Sequence, residues 1–227
     1  MFIIPSTAAS IVRYPLGYRV GAIGPRPAKR LELYEYEACP YCRKVREALT
    51  MLDLDALVLP SPRGGTRFRP EAIARGAKKQ FPLLVDPNVD AVLYESDAII
   101  AHLYARYGAG APALGLRLGS FGNASSAAAS AFRLGNGRRA RPSRRPEQPL
   151  ELWSFELSPY SRRVREELCE LELPYVLHNV GRESPRRPEL LARAGKIQVP
   201  YLEDPNTGAK MFESRDIVRY LATTYAA

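Results

Sequence analysis

Residues 31–54 read LELYEYEACPYCRKVREALTMLDL, and residues 150–173 read LELWSFELSPYSRRVREELCELEL. Thirteen of the 24 aligned positions are identical, at an offset of 119. Further on the match resumes with one residue deleted. QFPLLVDPN around Pro82 aligns with QVPYLEDPN around Pro200, and YESDAIIAHLYARY around Glu95 with FESRDIVRYLATTY around Glu213. A repeat of this length means that one folding unit has been used twice. The copies occupy 31–107 and 150–227, with a leader at 1–30 and a join at 108–149.

Each copy carries the same order of elements. Leu31 and Leu33 alternate at the period of a strand. Pro40 stands where a helix begins, since its missing N–H is no loss there. Val45, Ala48, Leu49 and Leu52 then recur at helical spacing and define one buried stripe. Ala56–Leu59 reads as a second strand, followed by a Pro/Gly-rich loop and a short helix. Pro82–Val85 and Val92–Tyr94 read as strands around the turn Asp86-Pro87-Asn88. Ser96 is placed to cap a last helix whose Ile99, Leu103 and Tyr107 share a face. The class is α/β: β-α-β-α-β-β-α twice, each copy a four-stranded mixed sheet with helices on both sides.

Composition sets the bounds. The 227 residues suit one domain or two small ones, and 46% hydrophobic with 25% charged residues suits a packed core rather than a disordered chain. No apolar run approaches the ~18 residues a membrane span needs. The net charge of +9 is unevenly placed. No acid precedes Glu32 and none lies between Asp97 and Glu147, while these two stretches hold thirteen basic residues. The remainder carries 20 basic against 24 acidic residues, so the basicity belongs to leader and join.

Three cysteines make no disulfide framework, and Cys39 and Cys42 sit one helical turn apart. A thiolate is the attacking species, and a helix N-terminus favours that anion, with Arg43 and Lys44 adjacent. Cys39, ahead of the helix, is expected to be accessible and nucleophilic, and Cys42 to be shielded and resolving. Two other readings stay open: a buried pair of small residues, or half of a zinc site. Only Cys169, His102 and His178 remain as further zinc ligands, none at metal spacing, so no metal is expected. Cys169 aligns with Thr50 and reads as a buried small residue.

CPYC after a strand, QFP and ESDAI together resemble glutaredoxins and the N-terminal domain of glutathione transferases. The tandem layout resembles two-module proteins of this kind in photosynthetic organisms. The resemblance implies a thioredoxin fold twice over, glutathione as cosubstrate, and protein or small-molecule disulfides as partners. It implies that Cys39 and Cys42 are catalytic. Tyr41 and Phe81 would lie against glutathione, with the Phe81 backbone pairing to its cysteinyl unit. Pro82 would be cis, Glu95 would meet the γ-glutamyl ammonium, and Ser96 with the following N–H groups would hold the carboxylate. Lys78 and Lys79 would attract the glycine carboxylate or stand as a solvated pair.

In the second copy Ser158 and Ser161 replace the cysteines, so no disulfide can form there. Tyr160, Val199, Pro200, Glu213 and Ser214 keep the rest of the groove. By resemblance this copy binds glutathione and could lower its thiol pKa through Ser158, or it is a scaffold. The chain ends at Ala227 without the all-helical domain of a typical transferase, which turns the expectation from conjugation toward thiol–disulfide exchange. A non-catalytic glutathione- or protein-binding adaptor is the alternative of another class.

The leader reads as a transit segment or, over Ile11–Ile23, as a structured lead-in strand, and the resemblance favours a chloroplast over the cytoplasm. In the join, Ser120–Leu134 reads as a helix with Phe121, Ala124, Ala128 and Phe132 on one face. Residues 135–139 and 142–146 read as flexible, solvated chain or, in the second reading, as a docking segment for an anionic partner such as nucleic acid or a lipid surface. No RNA-binding aromatic motif or zinc finger supports a nucleic-acid partner.

Overall fold

The structure, a computed structural model, describes residues 4–21, 23–117, 124–128 and 135–227. The first copy holds β1 (Leu31–Glu35), α2 (Pro40–Met51), β2 (Ala56–Pro60), α3 (Phe68–Gly76), β3 (Leu83–Asp86), β4 (Ala91–Leu93) and α4 (Ser96–Tyr107). Ahead of it lies α1 (Ile4–Arg13). The short helices α5 (Leu114–Arg117) and α6 (124–128) follow. The second copy repeats the order as β5 (Leu150–Ser154), α7 (Pro159–Glu170), β6 (Tyr175–Asn179), α8 (Arg187–Ala194), β7 (Tyr201–Asp204), β8 (Ala209–Phe212) and α9 (Ser214–Tyr225).

The strands of each copy follow the expected mixed pattern. β1 runs parallel to β2 and antiparallel to β3, and β5 relates to β6 and β7 in the same way. Period-2 alternation sends Leu31 and Leu33 into a core with Val45, Leu49, Leu52, Ile99 and Leu103. Tyr34 turns to the other face, where α3 supplies Phe68 and Ala72. Leu150, Leu152, Val164, Leu168, Ile217 and Leu221 repeat the first arrangement, Trp153 and Leu190 the second. Each fully buried leucine or isoleucine contributes about 1.5–3 kcal/mol from apolar burial.

The two sheets are one. β2 pairs antiparallel with β6, Val58 opposite Tyr175 and Ala56 opposite Leu177, giving a continuous order β4-β3-β1-β2-β6-β5-β7-β8. An approximate twofold axis therefore passes between β2 and β6. Pairing these edges covers N–H and C=O groups that would otherwise template association.

A seam of buried charge accompanies the joined strands. Arg46 and Arg165, at matching positions of α2 and α7, each reach the other copy's glutamate. Arg46 Nε donates to Glu156 at 2.9 Å, and Arg165 Nε to Glu37 at 3.1 Å. Arg165 also meets Glu156 at 2.7 Å, and Arg46 meets Glu35 and Glu37. All five side chains are buried. Burial pushes the Glu156 carboxyl up, but Arg165, Arg46, Arg43 and Arg162 outweigh it and hold the group well below its usual range. Glu35, buried beside Glu37 and Glu156, is pushed up to about 8 although Arg46 opposes the shift.

The leader and the join are part of the repeat. Ser6 Oγ donates to the Pro159 carbonyl at 2.8 Å, and Ser126 Oγ to the Pro40 carbonyl at 2.7 Å. Leu157 N–H donates to the Gly17 carbonyl at 3.0 Å, and Ala38 N–H to the Gly137 carbonyl at 3.3 Å. Each arm then crosses to its own copy: Gly24 N–H donates to Tyr107 at 2.9 Å, and Arg144 N–H to Tyr225 at 2.7 Å. Each arm thus starts on the opposite module and ends on the one it precedes. Gly17 and Gly137 have φ of 69° and 72°, and a Cβ there would meet the Cβ of Glu156 at 2.9 Å and of Glu37 at 2.7 Å. The backbone lies too close to the neighbouring glutamate for a larger residue.

Two expectations are corrected here. Ile11–Ile23 forms no lead-in strand: the arm is a helix to Arg13, then turns and isolated bridges. Its helix is fixed by Arg13, whose guanidinium makes a paired contact with buried Glu47. The join after residue 134 is no free tether either, since Arg63, Glu170 and Tyr225 bind its backbone. The helix expected over Ser120–Leu134 is described only at 124–128, and Phe121 and Phe132 lie outside the described residues.

Candidate functional site

Cys39 occupies the N-cap of α2, in extended conformation directly after the turn that ends β1. Its sulfur accepts the Cys42 N–H at 3.4 Å, one of the N–H groups a helix start leaves without an intrahelical partner. Burial pushes the Cys39 thiol up. Hydrogen bonds from the Cys42 thiol, the Cys42 and Tyr41 N–H groups and the Tyr36 hydroxyl oppose it and bring the group down to about 7. Cys42, completely buried and facing the same sulfur, is pushed well above the usual range. The two thiols are therefore unequal, Cys39 shifted down and Cys42 up.

The expected openness of Cys39 is corrected. The residue is 1% exposed because its side chain folds back into the first helical turn. It nevertheless forms part of the floor of an open cleft of about 690 Å³, shared with Tyr36, Tyr41, Arg63, Arg69 and Phe81. The role given to Arg43 and Lys44 is also corrected. Arg43 is buried against Glu156 at 3.5 Å, and Lys44 pairs with Asp97 at the start of α4. Hydrogen bonding, rather than these cations, lowers Cys39.

Of the other expected residues, Tyr41 and Phe81 line the cleft, as do Lys79 and Gln80. The Phe81–Pro82 bond is cis and Pro82 is buried. Exposed Glu95 accepts from Gln80 Nε2, which ties it to the cleft's edge. Glu95 rather than Ser96 is the N-cap of α4, with φ at 65° and no side-chain cap. The strained backbone turns the chain so that the first N–H groups of α4 stay uncapped by a side chain. Buried Ser96 is the first helical residue. Lys78 sits over the Tyr94 ring instead, 5.5 Å from its centre. Among the described residues no group of three or more His, Cys, Asp and Glu is arranged to hold a metal.

The second copy repeats this geometry with oxygen for sulfur. Ser158 caps α7 and accepts the Ser161 N–H at 3.2 Å, while the buried Ser161 hydroxyl has no hydrogen-bond partner among the described residues. Val199–Pro200 is cis, Glu213 has φ of 66° and accepts from Gln198 at 2.6 Å, and Ser214 is buried. Tyr160 is exposed. Buried Cys169 accepts the Glu37 N–H at 3.4 Å across the seam, as Thr50 accepts the Glu156 N–H at 3.1 Å.

Sequence reasoning missed Tyr36, Arg63, Arg69 and Gln80. Tyr36, three residues before Cys39, offered a signal: a hydroxyl at the end of β1 can reach back to the helix start. Arg63 and Arg69 flank a glycine pair in a loop whose path the sequence does not specify. Arg69 lies 4.5 Å over the Phe81 ring.

The family model described as glutathione S-transferase, N-terminal domain, matches the chain twice, over 33–112 and 152–227. No curated protein matches. Among solved structures, a glutathione transferase of Bombyx mori is 26% identical over 38% of this chain and 39% of that one, with a TM-score of 0.34. A second structure of that protein, in complex with GTT, shares 27% identity over 37% and 39%, at 0.34. A trimeric glutathione transferase of Leishmania shares 14% over 88% and 68%, at 0.31. The chain thus spans 39% of the length of the Bombyx mori structures.

Proposed function

Because the chain belongs, in both halves, to the glutathione S-transferase N-terminal domain family, we propose that it is a glutathione-linked thiol–disulfide oxidoreductase. Its first module is catalytic, and its second binds glutathione or serves as scaffold. The observation that carries this reading is the unequal pair: Cys39 brought down to about 7 at the floor of an open cleft, and Cys42 held protonated behind it.

The Cys39 thiolate attacks one sulfur of a substrate disulfide. A Cys39–substrate disulfide forms, and the other substrate sulfur leaves as a thiolate that takes a proton from water. Attack by Cys39 removes the negative charge that faced Cys42, so the resolving thiol ionises more readily. Cys42 then attacks the Cys39 sulfur and expels the second substrate thiolate. Two glutathione thiols reduce the Cys39–Cys42 disulfide and leave as glutathione disulfide. In the resting groove the Phe81 backbone, Glu95 and the uncapped start of α4 offer a peptide-pairing edge, a carboxylate for an ammonium, and N–H donors for a carboxylate.

Glutathione-coupled disulfide reduction by wild type, Cys39→Ser and Ser158→Ala tests the reading. Activity abolished by Cys39→Ser and retained by Ser158→Ala is expected. Electrophile conjugation lost only in Ser158→Ala would replace it with a transferase. Glutathione binding without either activity would leave an adaptor.

A further inference from the structure

The residues lining the cleft over Cys39 include three cations and no acid, with Glu95 at its edge, and the second module differs at the matching places. Arg63, Arg69 and Lys79 stand on its wall, with no carboxylate among the lining residues. At the matching places the second module has Arg182, Arg187 and Ile197. Glu183, where the first module has Gly64, pairs with Arg19 of the arm at 3.0 Å. In the second module the arm's cation is therefore paired, whereas its counterpart Arg139 has no carboxylate partner among the described residues.

The join adds to this asymmetry. Arg63 N–H donates to the Arg138 carbonyl at 2.8 Å, and Ala140 N–H to the Arg63 carbonyl at 2.9 Å. These bonds hold exposed Arg138 and Arg139 beside Arg63 at the cleft's rim. Neither has a carboxylate partner among the described residues. Five cations in one band exceed what a tripeptide with two carboxylates can engage, and the band extends beyond the cleft along the join.

We infer that this rim is a docking surface for acidic protein substrates, whose disulfide or glutathionylated cysteine it delivers to Cys39. The inference rests on the oxidoreductase reading and adds the substrate class to it. A sulfur-bearing partner is favoured over nucleic acid because three of the cations line the cleft that holds the Cys39 thiol, which a nucleic acid cannot use. Steering by such a field raises on-rates by roughly 10–1000-fold and falls steeply with ionic strength.

The test uses the full chain and three glutathionylated twelve-residue peptides, in which glutamate, glutamine or lysine flanks the cysteine. At low ionic strength kcat/KM is expected to be at least about tenfold higher for the glutamate peptide than for the glutamine one, and lowest for lysine. The preference should collapse with added salt and disappear in Arg138→Glu/Arg139→Glu. A small neutral disulfide in parallel reads the oxidoreductase chemistry itself. If nothing is reduced, that reading fails, and anisotropy of the same labelled peptides bound to Cys39→Ser still decides the surface. Equal rates or affinities for the three peptides, a preference that survives salt or the double variant, or tighter binding of a DNA duplex at this rim would each overturn the inference.

Discussion

Replacing Tyr36 by phenylalanine probes the activation of Cys39 most directly. The hydroxyl donates to the sulfur, and the wild-type thiol is held at about 7. Relative to an ordinary cysteine near 8.5, ionisation at that value gives about 16 times more thiolate at neutral pH. Each unit of lowered pKa also removes nucleophilicity with a slope of about 0.4–0.5, so the attacking power per thiolate falls about 4–6-fold. The net gain is about 3–4-fold. A hydrogen bond to a charged group worth about 1.4 kcal/mol corresponds to one pKa unit, so Tyr36→Phe should move the midpoint up by about one unit. The assay is the rate of iodoacetamide alkylation from pH 5 to 10, with the modified residue located by mass spectrometry. Its midpoint reports ionisation separately from the plateau, which burial depresses. A wild-type midpoint above 8.5, an unmoved midpoint in Tyr36→Phe, or first labelling at Cys42 would refute the reasoning.

Two further outcomes concern the seam. Glu156→Gln removes the carboxylate that Arg46 and Arg165 share at 2.9 and 2.7 Å and should cost about 3–5 kcal/mol in urea denaturation, because buried guanidiniums lose their counter-charge. Arg165→Met in the same chain should recover part of that loss. Glu35 titrates at about 8, above its unfolded value near 4.5, so the folded state binds the extra proton between them. Its contribution is full below the lower value and is lost as pH rises through the upper one. Stability measured from pH 5 to 9 should therefore fall less in Glu35→Gln than in wild type, and parallel curves would contradict the assignment.

Much of the fold was legible because apolar periodicity and turn residues are local signals. Leu31, Leu33, Val45 and Leu49 announced the strand–helix unit, and the duplication announced its partner. Three things were not legible. The β2–β6 pairing was hidden because Ala56–Leu59 looks the same whether its free edge faces water or another strand. The burial of Arg46, Glu47 and Arg165 carries no local signal, since a charged side chain is buried only when distant partners meet it. The arms' kinship rests on sparse positions such as Ser6 and Ser126 or Gly17 and Gly137, too few to stand out from background. At the site, Cys39 and Phe81 could be named from their motifs. Arg63 and Tyr36 depended on loop path and strand ending, which only the folded chain fixes.

The crossing arms carry a consequence for how this molecule can change. In an assembly of two identical subunits that trade their leading segments, any substitution strikes both catalytic centres at once, and loss of a sulfur would silence the pair. Here one continuous polypeptide carries both roles, so each half mutates alone while still holding its neighbour in place. The half bearing Ser158 and Ser161 can therefore differ at these positions from the half bearing Cys39 and Cys42 without releasing its grip on it. Severing the chain between the modules would not by itself separate them, for each would still clasp the other through a segment encoded ahead of its own first strand.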